Sequence, residues 1–319
     1  MLISFVLFLS TSLSQAAVSY SVAAGSTTYI TEFGVCRWVR NNHASGLAIF
    51  VPTNSASEWS AFRSNPPAGV TVVLGPGCFA PTGISIWLDS SDIRSLFTNT
   101  TCTTNVASNG DTIACWRGMG STISFTQGTA GSRPVYTTTG GSGSLPFAAF
   151  ANRFLASTSI NLNPRTLFIV YRDSSTVQWA TPFTGAVATD GWFHGNTDNT
   201  SIMNATFTNA NMRSATHYTN GTSWTYTGTP GALDNRPSAW TIMNVNTASN
   251  YGNTSGLFHI GIDRGTAGRT INGAISEIIV YTGVLTNTER QDIEGYLACK
   301  WNLQASLPGG HPYLSSCPP

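Results

Sequence analysis

Residues 271–303, INGAISEIIVYTGVLTNTERQDIEGYLACKWNL, decide the fold. Residues 274–281 alternate and are rich in Ile and Val, the pattern of a half-buried strand. Gly283-Val284-Leu285 then turns the chain. Thr286-x-x-Glu289 is a capping box: the Thr hydroxyl can accept from the Glu289 N–H while the Glu carboxylate reaches back. Beyond it Ile293, Tyr296, Leu297 and Trp301 follow the spacing of one apolar helix face. Glu289, Asp292 and Glu294 near the start and Lys300 near the end suit the helix dipole. The stretch therefore predicts one strand, a tight connection and one capped helix.

Composition sets the surroundings. The chain has 319 residues, 15 basic and 14 acidic, for a net charge of +1. That length can bury a large all-β core with something small beside it. No basic stripe is visible, which argues against a nucleic-acid partner. Only 9% of residues are charged, so the polar surface must be mostly Ser, Thr, Asn and Gly, the composition of many extracellular β proteins. Residues 1–16 hold the apolar run LISFVLFL followed by Ser14-Gln15-Ala16. The run is short for a bilayer, and Ser and Ala suit a signal-peptidase site, so a secretory signal at 1–16 is expected, with no membrane span in the mature chain. A buried N-terminal strand is the competing reading. Six cysteines fit an oxidising compartment, and proximity points to Cys36–Cys78, Cys102–Cys115 and Cys299–Cys317 among the many connectivities open. No zinc-like Cys or His spacing is present. Sequons occur at Asn99, Asn199, Asn204, Asn220 and Asn253.

Residues 17–80 read as a small separate module. Strand-like runs at 47–51 and 70–74 flank a second capping box, Ser55-x-x-Glu58, and a short helix through Trp59, Phe62 and Arg63. Cys36–Cys78 would staple this β–α–β unit. Gly75-Pro-Gly77 and Ala80-Pro81-Thr82-Gly83 mark the boundary. From there to residue 319 short strands alternate with turn chemistry, including Asn109-Gly110 as a hairpin signal. Strands are expected at 147–150, 238–245 and 257–262, while residues 177–253 alternate poorly elsewhere. The expected architecture is all-β: an antiparallel two-sheet sandwich closed by a C-terminal helix and preceded by a small Cys-closed α+β module.

The pattern resembles a known family. The strand, capped helix and YLACKW ending of residues 271–303 look like the C-terminal signature of laminin-G-like, concanavalin A-like jelly rolls, the lectin/glucanase superfamily. Such domains occur in secreted bacterial, phage and large-virus proteins. Ile84-Ser-Ile-Trp-Leu-Asp-Ser-Ser-Asp92 resembles that family's opening strand, and Thr112-Ile-Ala-Cys-Trp116 the next one. Ser132-Arg-Pro-Val-Tyr136 resembles its RPxY turn and Thr166-Leu-Phe-Ile-Val-Tyr-Arg172 a core strand. Together the matches cover residues 83–317 and imply a jelly roll. In that family the Cys299 position is commonly another residue, so a second cysteine at 317 implies a staple between tail and helix.

The superfamily includes β-glucanases, and a retaining glycosidase needs two carboxylates roughly 5 Å apart. Residues two apart on a strand share a face, yet none of the five Glu (32, 58, 277, 289, 294) has an acid two residues away in a strand. Glu277, alone in its strand, reads as a structural contact. The five His (43, 194, 217, 259, 311) lack a nucleophile context, and no G-x-S-x-G or phosphate loop occurs. The chain is therefore expected not to be an enzyme. Calcium is a possible cofactor because laminin-G-like sandwiches often hold one at a loop rim; Asp190, Asp198 and Asp234 sit in suitable loops, where plain turn roles compete. The acid that the family carries just after the Trp116 position is replaced by Arg117-Gly118. The remaining signal is aromatic: Trp192, His194, Trp224, Tyr226 and Tyr251 lie among Gly, Asn and Thr. Flat rings beside amides and hydroxyls can stack on sugars, or can simply be core. Trp192, Trp224 and Tyr226, with Asn196, Asp198 and Asn199, form the expected ligand-binding set. The expectation is a secreted, non-catalytic binding or adhesion protein recognising glycans or a glycosylated surface. The alternative is a structural or attachment protein of a virion or cell envelope.

Overall fold

The computed structural model describes the backbone of five strands within residues 18–73, and then residues 84–118, 122–185, 193, 195, 197, 200–228, 233, 235–249 and 255–318. The chain divides into two compact units, residues 1–81 with Pro319, and residues 82–318. Residues 1–16, the expected helix after Ser55, and Cys36 and Cys78 lie outside the described residues.

The first unit contains β1 (Val18–Val22), β2 (Thr27–Ile30), β3 (Arg37–Asn41), β4 (Leu47–Val51) and β5 (Val70–Val73). β1 pairs with β4, while β2, β3 and β5 form a second antiparallel ladder in that order. The runs expected as the two arms of one β–α–β unit thus lie in different ladders. Their partners are the short stretches VSYSV and RWVRN, which carry β-branched and aromatic residues that fit a pleated surface.

The second unit begins with β6 (Ile84–Asp89), β7 (Leu96–Phe97), β8 (Cys115–Arg117) and β9 (Ser124–Thr126). There follow β10 (Val135–Thr137), β11 (Phe147–Ala151), β12 (Leu155–Ser157), β13 (Ile160–Asn161), β14 (Thr166–Asp173) and β15 (Phe183–Gly185). A single turn of helix, α1 (Ala210–Arg213), precedes β16 (Thr216–Thr219), β17 (Thr222–Trp224) and β18 (Thr241–Asn246). β19 (Ser255–Gly256), β20 (Phe258–Ile260), β21 (Asn272–Tyr281) and α2 (Asn287–Lys300) complete it.

Two large antiparallel sheets result, with β13 and β19 pairing as a separate two-stranded ladder. The larger runs β10-β11-β21-β14-β18-β16-β17; the smaller runs β15-β20-β12-β9-β8-β7. β14 pairs along one edge of β21, so β11 and β6 share its other edge, β11 at the start and β6 at the end. Both sheets feed one core: Leu167, Ile169, Tyr171, Ile278 and Val280 from the larger meet Trp116, Phe125, Leu155, Phe183 and Phe258 from the smaller. Strict alternation would put Ile275 and Ile278 on opposite faces, yet both are in this core. A β-bulge resolves this: Val170 opposes Glu277 and Tyr171 opposes Ile275, leaving Ser276 as the extra residue. The Ser276 carbonyl accepts instead from the backbone N–H and hydroxyl of Ser90.

The opposite face of β21 carries Glu277, Ile279 and Tyr281, which are buried as well. α2 covers Glu277 there. Its capping box is present, with Glu289 N–H donating to Thr286 Oγ1 at 3.3 Å and Thr286 N–H to Glu289 Oε2 at 2.8 Å. Ile293, Tyr296, Leu297 and Trp301 are buried as the spacing requires. Full burial of such side chains contributes roughly 1.5–3 kcal/mol each. Gly295 is needed on the helix's other flank, because a Cβ there would lie 2.3 Å from Tyr313 Cδ2. Tyr313 is itself fixed by its hydroxyl, which donates to Asp292 at 2.5 Å. Cys299 is bonded to Cys317, tying the tail to the helix, and Cys102 to Cys115; each pair has its Cα atoms 5.6 Å apart.

The expected hairpin turn at Asn109-Gly110 is not formed. Asn109-Gly110 does not join paired strands: its flanks bridge outward, Asn105 to Phe97 and Thr112 to Val135. Asp111 closes that turn locally by accepting from the Ala107 and Ser108 N–H groups at 2.7 and 2.8 Å. The two-residue hairpin is instead Asn220-Gly221, between β16 and β17. Its positive φ values, 49° and 79°, are those a type I′ turn demands. Among the described residues no helix is long and apolar enough to cross a membrane.

Candidate functional site

Of the expected ligand-binding set, the structure describes Trp224 and Tyr226. Trp192, Asn196, Asp198 and Asn199 lie outside the described residues, as do His194, Tyr251 and the acids Asp190 and Asp234. Trp224 ends β17, which among the described residues pairs only with β16, at the edge of the larger sheet. Its cross-strand partner is His217, and the two rings stack with centroids 4.4 Å apart at 21°. The indole Nε1 donates to Thr219 Oγ1 at 3.0 Å, and that hydroxyl donates onward to the Leu233 carbonyl. Trp224 and Tyr226 are half-buried and pack against the core, while Thr222, Ser223, Thr225 and Thr227 around them are exposed. The result is a ledge in which one flank of each ring is anchored and hydroxyls stand beside it.

His217 beneath the ledge is fully buried. Burial pushes its imidazole down to about 4, with the Met212 backbone acting the other way. The ring under Trp224 is thus a neutral, flat support at ordinary pH.

A second aromatic position was missed by sequence reasoning. Trp179 adopts a φ of +65°, an uncommon conformation for a bulky residue that nothing in its local sequence announces. Its half-buried ring meets Phe207 edge-on at 5.4 Å, and the Arg269 guanidinium lies 5.4 Å from its centroid. Arg269 and Arg264 both donate to the buried carboxylate of Asp263 at 2.9 Å. Beside it, burial lowers the His259 imidazole and Asp263 opposes the shift. Next to Trp179, Gln178 Nε2 donates to the Thr197 carbonyl at 3.3 Å. Trp179 therefore adjoins the described part of the loop that carries Asn196, Asp198 and Asn199.

The acids are arranged differently from the expectation. Glu277 has no acid two residues away, but Asp89 stands directly opposite it on β6, so a cross-strand carboxylate pair exists. Looking along one strand cannot reveal it. Lys300 of α2 sits between the two, with Nζ 2.5 Å from Asp89 Oδ2 and 2.8 Å from Glu277 Oε2. Glu277 also accepts from Trp87 Nε1 (2.7 Å), Tyr296 Oη (2.8 Å) and Trp301 Nε1 (2.7 Å). Burial pushes the Glu277 carboxyl up; Lys300 and the Trp301 indole act downward, while Asp89 adds to the rise. Burial acts to lower the Lys300 ammonium, yet Asp89 and Glu277 together carry it above its ordinary value. A second buried charge cluster lies on the same helix. Glu294 pairs with Arg290 one turn away and with His311 Nε2 at 3.2 Å, while the Arg290 guanidinium stacks 3.9 Å from the Tyr218 centroid.

Among the described residues no group of three or more His, Cys, Asp or Glu side chains could hold a metal ion. Of the sequon asparagines, Asn204 is buried, with Oδ1 accepting from the Thr206 and Phe207 N–H groups. Asn220 Oδ1 accepts from the Ile242 N–H at 2.8 Å. No protein-family model matches this chain, and neither does any curated protein.

Proposed function

We propose that this is a secreted, non-catalytic binding protein with a laminin-G-like jelly-roll domain, recognising glycans or a glycosylated surface at the edge of its larger sheet. The observation that carries the reading is the Trp224–Tyr226 ledge: both rings pack against the core, Trp224 is also stacked on His217, and exposed hydroxyls flank them. A rigid, partly exposed ring can stack on the apolar face of a sugar at little entropic cost, and neighbouring hydroxyls can bond the sugar's own. The carboxylate pair supports the absence of hydrolysis, because Asp89 and Glu277 are 4% and 1% exposed and bridged by a lysine under a helix, where no glycosidic bond can enter. The two disulfides support an oxidising compartment.

A glycan array probed with the whole chain, followed by affinity measurements on Trp224→Ala, tests the proposal. The substitution should weaken binding by about tenfold or more, equal to about 1.4 kcal/mol, while the Tm falls by only a few degrees. If Trp224→Ala unfolds the domain, the ring is core and the ledge is not a site. If the folded protein binds no glycan, the reading gives way to a contact unit of a virion or envelope.

A further inference from the structure

We propose that Lys300 and Asp89 become covalently joined by an intramolecular isopeptide bond, with Glu277 as the proton shuttle. All the parts of an acyl-transfer site converge beneath α2. The nucleophile is Lys300 Nζ, 2.5 Å from Asp89 Oδ2. The other oxygen, Asp89 Oδ1, accepts from the Ser91 N–H at 2.9 Å and the Ser91 hydroxyl at 2.6 Å. Those two donors are placed where an oxyanion would form on Asp89 Cγ. Glu277 Oε2 accepts from Lys300 Nζ at 2.8 Å and lies opposite Asp89 in the strand register. Three further donors, Trp87, Tyr296 and Trp301, fix the Glu277 carboxylate in place. The site is dry: the Lys300, Asp89 and Glu277 side chains are 13%, 5% and 0% exposed. Such proximity converts a very slow condensation into an effectively unimolecular one, and the exclusion of water favours the amide over its hydrolysis.

The step balances without any other reactant. In the proton isomer that reacts, Lys300 is a neutral amine and Asp89 a neutral acid protonated on Oδ2. The pull of the two carboxylates makes this the minor form, so the reaction is slow and follows folding. The Nζ lone pair forms a bond to Asp89 Cγ, and the carbonyl pair moves onto Oδ1 under the Ser91 donors. Glu277 takes a proton from Nζ. As the carbonyl reforms, the Cγ–Oδ2 bond breaks, and Glu277 returns that proton to the departing hydroxyl, which leaves as water. The amide N–H then donates to Glu277, whose protonation is unchanged. Tyr296, whose hydroxyl accepts from Nζ at 3.2 Å, is a positioning residue here.

Intact-protein mass spectrometry of the whole folded chain, afterwards reduced and denatured, decides the matter. The expected mass is one water below that of the linear chain with its mapped termini. Proteolysis should then yield a branched peptide joining the segment around Asp89 to that around Lys300. Lys300→Arg retains a cation between the carboxylates but forms no amide, and should show the full mass. Asp89→Asn retains the electrophilic carbonyl and should lose ammonia in place of water. A full linear mass for the wild-type protein overturns the proposal, whatever the variants do. So does a water loss that stays within one peptide or persists in Lys300→Arg.

Discussion

Tyr296→Phe is the cleanest probe of how the strand and helix are clasped. The substitution keeps the ring, which is buried at 3% exposure, and removes only the hydroxyl. That hydroxyl donates to Glu277 Oε1 at 2.8 Å and accepts from Lys300 Nζ at 3.2 Å. Hydrogen bonds to charged groups contribute roughly 1.5–3 kcal/mol, and a buried charge that loses a donor bears the unrecovered desolvation. Glu277 keeps three of its donors, Trp87, Trp301 and Lys300, so the lower part of the range applies. A loss of about 2 kcal/mol is expected, which lowers the Tm of a domain of this size by roughly 4–8 °C. Thermal unfolding followed by far-UV circular dichroism reads it directly. A Tm within a degree of wild type would refute the argument, because Glu277 would then not depend on that donor.

Other consequences are equally concrete. His217 is held down to about 4 by burial, against an ordinary value of 6.5. Its contribution is therefore complete above pH 6.5 and lost as pH falls towards 4, where the unfolded chain binds a proton that the folded chain refuses; the loss is about 3 kcal/mol. Replacing His217 with Phe should flatten the fall of Tm between pH 6.5 and 4, and an unchanged slope would count against the assignment. Ile293→Ala empties a fully buried site under α2 and should cost about 2–5 kcal/mol in denaturant unfolding. Gly221→Ala puts a Cβ at a φ of +79° and 3.0 Å from Pro308 Cδ, so a loss of about 1–2 kcal/mol is expected by the same assay.

How far these features can be read from sequence depends on how local they are. β21 and α2 are legible because alternation, capping box and helix face all lie within one short run of chain. The continuous burial of β14 follows from its run of Leu, Phe, Ile, Val and Tyr, which has both faces covered. The bulge at Ser276 is not legible, since it shows only when Ile275 and Ile278 are seen in one core. The Asp89–Glu277–Lys300 cluster is non-local in the same way, with 188 residues separating the two acids that face each other in register (277 − 89). The β16–β17 hairpin carries a plain Asn-Gly signal, but its strands, THYT and TSW, are polar edge strands without a hydrophobic pattern. Trp224 and Tyr226 stood out by composition alone. Their half-buried setting, with Trp224 stacked on His217, comes from the sheet edge, which no local pattern records.

The central claim is that the sheet-edge ledge binds a sugar, and the indole N–H resonances of the tryptophans test it most directly. Titrating the best glycan from the array into labelled protein should shift the Trp224 Nε1–H signal, whose proton is bonded to Thr219. The signals of the buried Trp87 and Trp116 should stay where they are. A bound glycan that leaves the Trp224 signal unmoved would contradict the account.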